Sequence, residues 1–378
     1  MEKTVIVAGH ICLDITPVFK NKNVKRIEEL ISPGKLVETG EADVHTGGCV
    51  ANTGLALKKF GIDVSLMGKI GHDAFGDMIC SILDKFDAGA YMIRDAKSST
   101  SYSVVLALPG LDRVFLHHPG ANHTFYASDI SDEMLKRASL FHFGYPPLMQ
   151  SMYQEDGQEL LNLLQRVKAN GIATSMDMAA VDAESQAGNV NWDVLLQHVL
   201  PFVDFFEPSV EELCFMLDKN RFSLWQERAA GNDITEILDI EKDVKPLAKK
   251  CLSYGAGVVV VKCGVRGMYY QTAKKERMAR VGEKAEIDVD AWAEKAGFEY
   301  SYIPECVRSA TGAGDTAIAA FLAAMIRGET LETAMQLATA AGAACVTSYD
   351  ALSGLMSIEA LKQKINSGWE KRKAYEQQ

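Results

Sequence analysis

Several familiar signatures of enzymes and binding proteins are missing from this sequence. The eight cysteines are scattered with no Cys-x-x-Cys pair, which argues against a zinc ribbon or a disulfide framework. There is no P-loop motif, and no Gly-x-Gly-x-x-Gly follows the first apolar run, so P-loop and Rossmann folds are disfavoured. A Gly-x-Ser-x-Gly elbow and a His-Glu-x-x-His helix are also absent, which disfavours the hydrolases and zinc peptidases that use them.

Long apolar runs and excess positive charge are missing too. No run reaches the length of about 18 apolar residues that a membrane-spanning helix needs, and no signal peptide is expected. The net charge of −11 argues against a nucleic-acid partner. What remains is a globular composition, with 48% hydrophobic and 24% charged residues in 378. Unpaired cysteines predict a cytoplasmic protein.

Short apolar runs alternate with amphipathic stretches along most of the chain. Strands are predicted at 4–8, 64–67, 140–143, 173–176, 202–206 and 257–261. Helices are predicted at 49–60, 74–86, 152–169, 209–218 and 234–253. Apolar strands separated by helices are typical of a parallel sheet covered on both faces, so the sequence predicts an α/β fold.

Two segments, 12–46 and 91–118, have extended rather than helical character, and a hairpin turn is predicted at 109–112. We expect these segments to pair into a small separate sheet that serves as a lid. A polar, charge-rich insert occupies 272–306. No repeat or low-complexity linker divides the chain, so a single domain over 1–378 is predicted.

The most informative segment is a glycine turn that leads into an apolar helix. Gly312, Ala313 and Gly314 would leave unpaired N–H groups at the positive end of the helix dipole, a natural place for an anion. Asp315 lies in the first helical turn and could take a proton from a hydroxyl while the N–H groups hold a phosphoryl group. A purely structural turn is the alternative, because an aspartate at a helix start is favourable by itself.

A second glycine turn and one early aspartate could bind the hydroxyls of a polyol. Gly47 and Gly48 open a helix that carries Asn52, whose amide both donates and accepts hydrogen bonds. Asp14 follows the first strand, at the edge where ligands of open α/β sheets bind. An ordinary loop-to-helix turn and a solvated aspartate are the alternatives.

A third glycine turn follows the strand at 257–261. Lys262, Gly264, Arg266 and Gly267 could lie under a nucleotide, with one cation near its phosphates. A tight hairpin is the alternative. Two histidines at the end of an extended segment, His117 and His118, are predicted to be surface residues.

Taken in order, these pieces resemble the ribokinase-like sugar kinases, also called the phosphofructokinase-B family. The resemblance runs from about Val5 to Gly354. It is carried by Gly47-Gly48-x-x-x-Asn52, Gly68-x-x-Gly71-x-Asp73-x-x-Gly76, Pro119-x-x-Asn122, Lys262-x-Gly264-x-x-Gly267 and Thr311-Gly312-Ala313-Gly314-Asp315.

The resemblance implies a three-layer α/β/α sandwich with a small β lid, ATP as donor and Mg²⁺ as its companion. It implies that Asp315 is the base and that Gly312 to Gly314 form the anion hole. It further implies the following contacts: substrate at Asp14, Gly47, Gly48 and Asn52; ATP at Lys262, Gly264, Gly267 and Thr311; and the water shell of the metal at Glu212.

The sequence departs from the family pattern at three places. Ser209 stands where the family has the asparagine of its Asn-x-x-Glu motif, which alters one polar contact to the metal's water shell. Ser309 replaces an aspartate that shapes a monovalent-cation site, so potassium activation stays open. Asp177 is retained from an Asp-x-Asn motif, but Ala179 replaces the asparagine.

The expected activity is therefore phosphorylation by ATP of a primary hydroxyl of a sugar or sugar-like polyol. A nucleoside kinase of the same fold is one alternative, with Tyr102, Phe115 and Tyr145 as candidates to stack on a base. A sugar-binding protein without catalysis is the other. A homodimer formed through the lid is also predicted.

Overall fold

A computed structural model describes residues 3–19, 24, 26–108 and 114–372. Its strands are β1 Thr4–Gly9, β2 Cys12–Pro17, β3 Ala42–Gly47, β4 Asp63–Gly71, β5 Ile93–Asp95, β6 Tyr102–Leu106, β7 Val114–His118, β8 Ala138–Gly144, β9 Ala173–Asp177, β10 Phe205–Phe206, β11 Val258–Lys262, β12 Gly267–Thr272 and β13 Ala296–Tyr300. Within the described ranges they form a nine-stranded sheet, ordered β13-β12-β11-β10-β9-β8-β1-β4-β5, and a four-stranded sheet, ordered β3-β2-β6-β7.

Helices cover both faces of the large sheet. They are α1 Cys49–Lys59, α2 Ala74–Asp84, α3 Asp132–Arg137, α4 Gln150–Tyr153, α5 Gln158–Ala169, α6 Trp192–Val199, α7 Val210–Leu217, α8 Lys219–Ala229, α9 Ile234–Ile237, α10 Lys245–Ser253, α11 Lys275–Met278, α12 Val289–Trp292, α13 Ala313–Ile326, α14 Leu331–Cys345 and α15 Ile358–Asn366. Strand β1 shows the division: Val5 and Val7 face a core built with α1, α13 and α14, whereas Ile6 and Ala8 face a core built with α5, α6 and α10. The period of two along a strand produces this split, and the predicted three-layer sandwich is confirmed.

The large sheet is mixed rather than wholly parallel, which corrects the sequence-based expectation. Strands β4, β1, β8, β9, β10 and β11 run parallel, whereas β12 pairs antiparallel with both β11 and β13. Only Cys263 to Arg266 separate β11 from β12. A strand that pairs in parallel with the preceding strand needs a crossover of a dozen or more residues. A connection of this length therefore forces a hairpin.

The small sheet forms from the two extended segments, as predicted. In it β2 pairs antiparallel with β3 and parallel with β6, and β6 pairs antiparallel with β7. The predicted turn at 109–112 lies outside the described residues. Strand β5, although part of the segment 91–118, joins the edge of the large sheet instead.

Several predicted boundaries were wrong. The strand expected at 202–206 is reduced to β10, because Leu200–Phe202 form a 3₁₀ turn that starts with Pro201 near its N-terminus. The helix expected at 234–253 is broken into α9, a π turn and α10. Asp239 lies between α9 and the π turn. Its side chain caps the start of the π turn by accepting hydrogen bonds from the N–H groups of Glu241 and Lys242.

The insert 272–306 is built into the large sheet. It supplies β13, and Trp292 packs edge-on against Phe205 and Phe321 at ring separations of 6.0 and 5.8 Å. Arg277 donates to the buried carboxylate of Asp204 at 3.1 Å. The insert is therefore anchored by both an apolar and an ionic contact.

No helix in the described ranges is long and apolar enough to cross a membrane. All eight cysteines are free thiols, as expected from their spacing.

Candidate active site

Register in the large sheet aligns the carboxyl ends of three neighbouring strands. Gly9 of β1 pairs with Gly144 of β8, and Gly144 pairs with Asp177 of β9. The residues that follow, His10 and Tyr145, therefore emerge at the same edge as Asp177. Ligands of open α/β sheets bind at this edge.

Three donors from distant parts of the chain hold the carboxylate of Asp315, which lies in the first turn of α13 and is 4% exposed. Tyr145 donates its hydroxyl to Oδ1 at 2.7 Å, and Thr53 donates to the same oxygen at 3.3 Å. The amide of Asn52 donates to Oδ2 at 3.0 Å. The carboxylate is thus fixed in orientation by groups at the carboxyl edge of the large sheet and on α1.

Burial raises the pKa of Asp315, and the hydrogen bonds from Tyr145 and Asn52, with the charge of Lys262, oppose that rise. Burial likewise raises the pKa of the Tyr145 hydroxyl well above its ordinary value, and the charge of Asp315 adds to the effect. Tyr145 therefore stays a donor at neutral pH. A carboxylate with a raised pKa is a better proton acceptor than an exposed one.

The turn before α13 presents backbone N–H groups beside this carboxylate. Gly312 has a φ of +74°, in the region that disfavours side chains, and a Cβ there would lie 2.3 Å from that of Ala351. Among described residues, no acceptor is hydrogen-bonded to the N–H groups of Gly312 and Gly314. Ala313 differs from the expectation, because its N–H donates to the carbonyl of Ala310 at 3.3 Å.

The side chain of Lys262 lies beside Gly314 of this turn. A Cβ on Gly314 would lie 3.7 Å from the Lys262 ammonium, which donates to Asp177 at 2.5 Å. Burial raises the pKa of Asp177 to about 8, against the opposing charge of Lys262. Burial disfavours the ammonium, yet Asp177 and Glu212 hold the pKa of Lys262 above its ordinary range. One buried cation therefore stands next to the predicted anion hole.

The predicted hydroxyl-binding residues lie on β2, at the end of β3 and at the start of α1. Asp14 on β2 faces β3, and a Cβ on Gly47 would lie 2.1 Å from its Oδ2, so only a glycine leaves room for the carboxylate. Cys12 donates its thiol to Asp14 at 3.2 Å. Burial raises the pKa of Asp14, and hydrogen bonds from Cys12 and Ser103 oppose this effect.

Gly48 caps α1 with a φ of +85°, and a Cβ there would lie 2.6 Å from Nδ1 of His10. The segment after β1 is held by Asn122, which is fully buried. Its amide donates to the carbonyl of Ile11 at 2.9 Å, and its oxygen accepts from the N–H of Ile11 at 3.2 Å. The Pro119-x-x-Asn122 segment therefore positions the backbone that follows β1.

The Lys262-x-Gly264-x-x-Gly267 turn has a structural explanation. A Cβ on Gly264 would meet the hydroxyl of Thr235 at 2.7 Å, and one on Gly267 would meet the carbonyl of Glu299 at 2.1 Å. Arg266, considered as a phosphate ligand, instead donates to the carbonyls of Thr235 and Leu238. Arg266 thus ties the turn to α9 rather than pointing a charge at a nucleotide.

Glu212 belongs to a capping box at the start of α7. Its Oε2 accepts from the N–H of Ser209 at 2.7 Å, and Ser209 Oγ accepts from the N–H of Glu212 at 3.2 Å. In the described residues no cluster of three or more His, Cys, Asp or Glu could hold a metal ion alone. The donor set still fits Mg²⁺ delivered with a nucleotide, since Mg²⁺ keeps several waters and uses one or two carboxylates plus phosphates.

The segment before the anion turn is ordered by hydroxyl groups. Ser309 Oγ donates to Thr311 Oγ1 at 3.0 Å and accepts from the N–H of Thr311 at 3.1 Å. Ser309 therefore shapes the turn locally.

The structure thus brings Asn52, Lys262 and the turn from Gly312 to Gly314 together with Asp315. Asp14 lies against Gly47 in the small sheet, and Gly48 lies against His10. Glu212 lies close enough to influence the pKa of Asp177. Gly264 and Gly267 support the rim. Sequence reasoning missed Thr53 and His10 and assigned no such role to Tyr145. These are single residues beside strand or helix ends, and only sheet register reveals them.

Comparisons of sequence and of structure relate this chain to known proteins. The sequence profile described as pfkB family carbohydrate kinase matches residues 6–357. A probable fructokinase-5 of Arabidopsis thaliana is 25% identical over 82% of this chain and 84% of its own length. A 5-dehydro-2-deoxygluconokinase of Clostridium beijerinckii is 20% identical over 96% of this chain and 92% of its own.

Solved structures show the same fold. The crystal structure of a fructokinase with bound ATP from Xylella fastidiosa superposes with a TM-score of 0.70 and 17% identity, covering 98% of this chain and all of that one (100%). The large mixed sheet, the small separate sheet and the match of the profile over nearly all residues point the same way. This chain belongs to the pfkB family of carbohydrate kinases and has the ribokinase-like fold.

Proposed function

We propose that this kinase transfers the γ-phosphoryl group of ATP to a primary hydroxyl of a sugar or sugar-like polyol, with Asp315 as the general base. The observation that carries the proposal is the buried Asp315 carboxylate, fixed by Tyr145, Asn52 and Thr53. It lies next to the N–H groups of Gly312 and Gly314, to which the described residues offer no acceptor. A protein that only bound sugar would have no use for a buried, oriented base at this place.

In the proposed step the acceptor oxygen attacks the γ-phosphorus, and the bond from that phosphorus to the β,γ-bridging oxygen breaks. ADP leaves with the electron pair, and the hydroxyl proton passes to the carboxylate of Asp315. The N–H groups of Gly312 and Gly314 take the charge that builds on the phosphoryl oxygens. This matches the general requirement of phosphoryl transfer for positioning and charge stabilisation.

Two further groups would act on the nucleotide. Lys262, which passes over Gly314, would turn from Asp177 toward the phosphates. Glu212 would hold waters of the Mg²⁺ that accompanies ATP, and this ion supplies neutralisation of phosphate charge. Thr311, Gly264 and Gly267 would support the nucleotide through backbone position.

Coupled ADP release with magnesium-ATP, measured against pentoses, hexoses, polyols and nucleosides, tests the proposal. Asp315→Asn should reduce turnover of any accepted sugar by about 10²–10⁴ while leaving ATP binding intact. Asp290→Asn, an exposed aspartate in the insert, serves as the matched control. Full turnover by Asp315→Asn would disprove the role of the base, and no ADP release with any acceptor would disprove the kinase assignment.

We propose a sugar rather than a nucleoside as the acceptor, because one of the three candidate stacking residues has another role. Tyr145 is engaged with Asp315, and Tyr102 packs against Phe75 and His118 with ring separations of 5.3 and 5.4 Å. The Tyr145 hydroxyl is thus committed to the carboxylate, whereas the Tyr102 ring lines a pocket with Phe75 and His118, and Phe115 is 54% exposed. A nucleoside hit in the same assay, with no sugar hit, would reverse this assignment.

The small sheet supports two further predictions, a lid and a homodimer. Val114, Phe115 and Leu116 on edge strand β7 are exposed by 41%, 54% and 55%. Such an edge invites a second copy of the chain to cover it. Leu116→Lys should therefore convert a dimer to a monomer in light scattering, and an unchanged mass would contradict this interface. A cytoplasmic location stays a prediction, and comparing rates in potassium and choline salts addresses the monovalent cation.

A further inference from the structure

His10 is a buried side chain whose polar atoms are not used within the protein. It is 2% exposed, and in the described part of the chain neither Nδ1 nor Nε2 has a hydrogen-bond partner. Buried polar groups are nearly always paired, because leaving one unpaired costs free energy. The exception here lies at the carboxyl edge of the sheet, where the candidate active site is.

The ring of His10 stands between the base and the small sheet. Its centroid is 6.0 Å from that of Tyr145, the residue that donates to Asp315. On the other side it is 5.3 Å from the ring of His117 on β7. Its Nδ1 would clash with a Cβ on residue 48, so the glycine there makes room for the ring.

The backbone around His10 is firmly held. Its N–H donates to the carbonyl of Gly144 at 3.2 Å, its carbonyl accepts from the N–H of Val50 at 3.2 Å, and Asn122 fixes the next residue. His10 is therefore preorganised, as a ligand-binding side chain must be. His117 is positioned in turn by a 3.0 Å hydrogen bond between its Nδ1 and Ser103 Oγ.

We propose that His10 binds a hydroxyl group of the acceptor, that His117 contacts the same acceptor from the small sheet, and that the acceptor is an uncharged sugar or polyol rather than a sugar acid. The inference rests on the proposed function and specifies the substrate class of that same site. It also assigns a contact to His117, which is exposed, as the sequence predicted.

Chemistry of the surrounding groups supports an uncharged acceptor. Burial, followed by the nearby charges of His117 and His123, lowers the pKa of His10, so the ring is neutral. A neutral imidazole has one donor and one acceptor, which match a hydroxyl group. Asp14 and Asp315 would repel a carboxylate, and the ammonium of Lys262 is already paired with Asp177.

The test is a set of kinetic cycles between His10→Phe and monodeoxy analogues of the accepted sugar, starting from D-fructose and D-ribose. In the wild-type protein, one deoxy analogue should lower kcat/KM by about 10–100-fold, because the buried His10 ring is then left without its hydroxyl partner. In His10→Phe the parent sugar should already show that loss, chiefly through KM, and the same deoxy analogue should cost nothing more. KM for ATP should not change.

His118→Phe is the matched control, because His118 lies on the same strand but bonds Ser99 instead of facing His10. It should leave the deoxy pattern as in the wild type. Equal penalties for every deoxy analogue in wild type and His10→Phe would overturn the role of His10. His10→Leu, which also removes both ring nitrogens, provides the same cycle if His10→Phe does not fold, and His117→Ala provides it for the second contact.

The charge of the acceptor is tested separately with the C1 acid of each sugar, D-ribonate for D-ribose and 2-keto-D-gluconate for D-fructose. Turnover of the acid at least 100-fold below that of the neutral sugar supports the inference, and equal turnover overturns it. A wild-type protein that phosphorylates none of these compounds would instead refute the proposed function. The two failures are therefore distinguishable.

Discussion

The hydroxyl of Tyr145 donates a 2.7 Å hydrogen bond to Oδ1 of Asp315, a residue 170 positions later in the chain. Tyr145 has a φ of +66°, an unusual value for a bulky residue. Strain of this kind persists where the surrounding structure requires it. Here the turn after β8 directs the tyrosine onto the carboxylate.

Tyr145→Phe should move the pH dependence of the reaction. The base must be ionised, so kcat/KM falls as pH drops through the pKa of Asp315. The hydrogen bond from Tyr145 lowers that pKa, which burial has raised, so its loss should raise the pKa further and shift the acid limb to higher pH. A pH–rate profile measures this shift.

Tyr254→Phe is the control for that profile, because its hydroxyl donates to Asp193 instead of to Asp315. Its acid limb should coincide with that of the wild type. A Tyr145→Phe profile that did not move, or moved to lower pH, would show that the base is another group.

Lys262→Met should make stability depend strongly on pH. Without the ammonium, the pKa of buried Asp177, already about 8, should rise further above its unfolded value of about 3.9. A group with a raised folded-state pKa stabilises the fold at low pH, and that contribution is lost as pH rises through the folded pKa. Urea unfolding at pH 6 and pH 9 should therefore show the larger loss at pH 9.

The double variant Lys262→Met with Asp177→Asn should remove most of this pH dependence, since the carboxyl that Lys262 hydrogen-bonds no longer titrates. Lys371→Met, which removes a peripheral pair with Glu299, is the control for losing a lysine. A loss of stability equal at both pH values would mean that Asp177 does not titrate in this range.

Gly312→Ala should damage both stability and turnover. An alanine in the left-handed region costs about 1–2 kcal/mol, and its Cβ would also meet Ala351 at 2.3 Å. Displacing the turn should lower kcat by about 10²–10³, the usual effect of losing an oxyanion donor. Thermal unfolding and steady-state kinetics measure the two effects.

Gly328→Ala separates backbone strain from the loss of the anion hole. Gly328 has a similar φ of +78°, but a Cβ there would have nothing within 4 Å. It should lose stability and keep full activity. Equal kinetic effects of the two substitutions would argue against a role for the Gly312 turn.

Arg277→Ala should loosen the insert without changing catalysis. Arg277 also donates to the carbonyls of Gly255 and Val203, at 2.6 and 2.9 Å. Breaking a buried ion pair commonly costs about 3–5 kcal/mol, here reduced because Lys168 still pairs with Asp204. Denaturant unfolding should show the loss, whereas KM and kcat should stay at wild-type values.

Lys275→Ala in the same insert is the comparison, because its pair with Asp290 is exposed and should not affect stability measurably. If Arg277→Ala changed KM for ATP, the insert would contribute to the nucleotide site rather than only to the sheet.

Local pattern predicted much of the fold. Apolar runs located β1, β8, β9 and β11, and the alternating segments located the small sheet. The antiparallel edge appeared in the sequence only as the alternative of a tight hairpin between Lys262 and Gly267, and the structure has that hairpin. The ligand loop was preferred because the glycine spacing of such a loop and of a hairpin is the same.

The site was predictable where its chemistry depends on the backbone. Turns at Gly48 and Gly312 have glycine because a side chain would clash, and such constraints are visible in sequence. His10, Thr53 and Tyr145 have no local signature, because their placement follows from strand register and helix packing. The capping role of Ser209 was equally hidden, since its departure from the family pattern drew attention to the metal instead.

The donors to Asp315 have a consequence for folding. Asn52 and Thr53 lie 263 and 262 positions from it along the chain. The hydrogen-bonded carboxylate of Asp315 is therefore assembled only when the first and last thirds of the polypeptide have docked on the finished sheet. Recovery of enzymatic turnover during refolding should lag behind the return of helical circular dichroism, making activity a late reporter of the native topology.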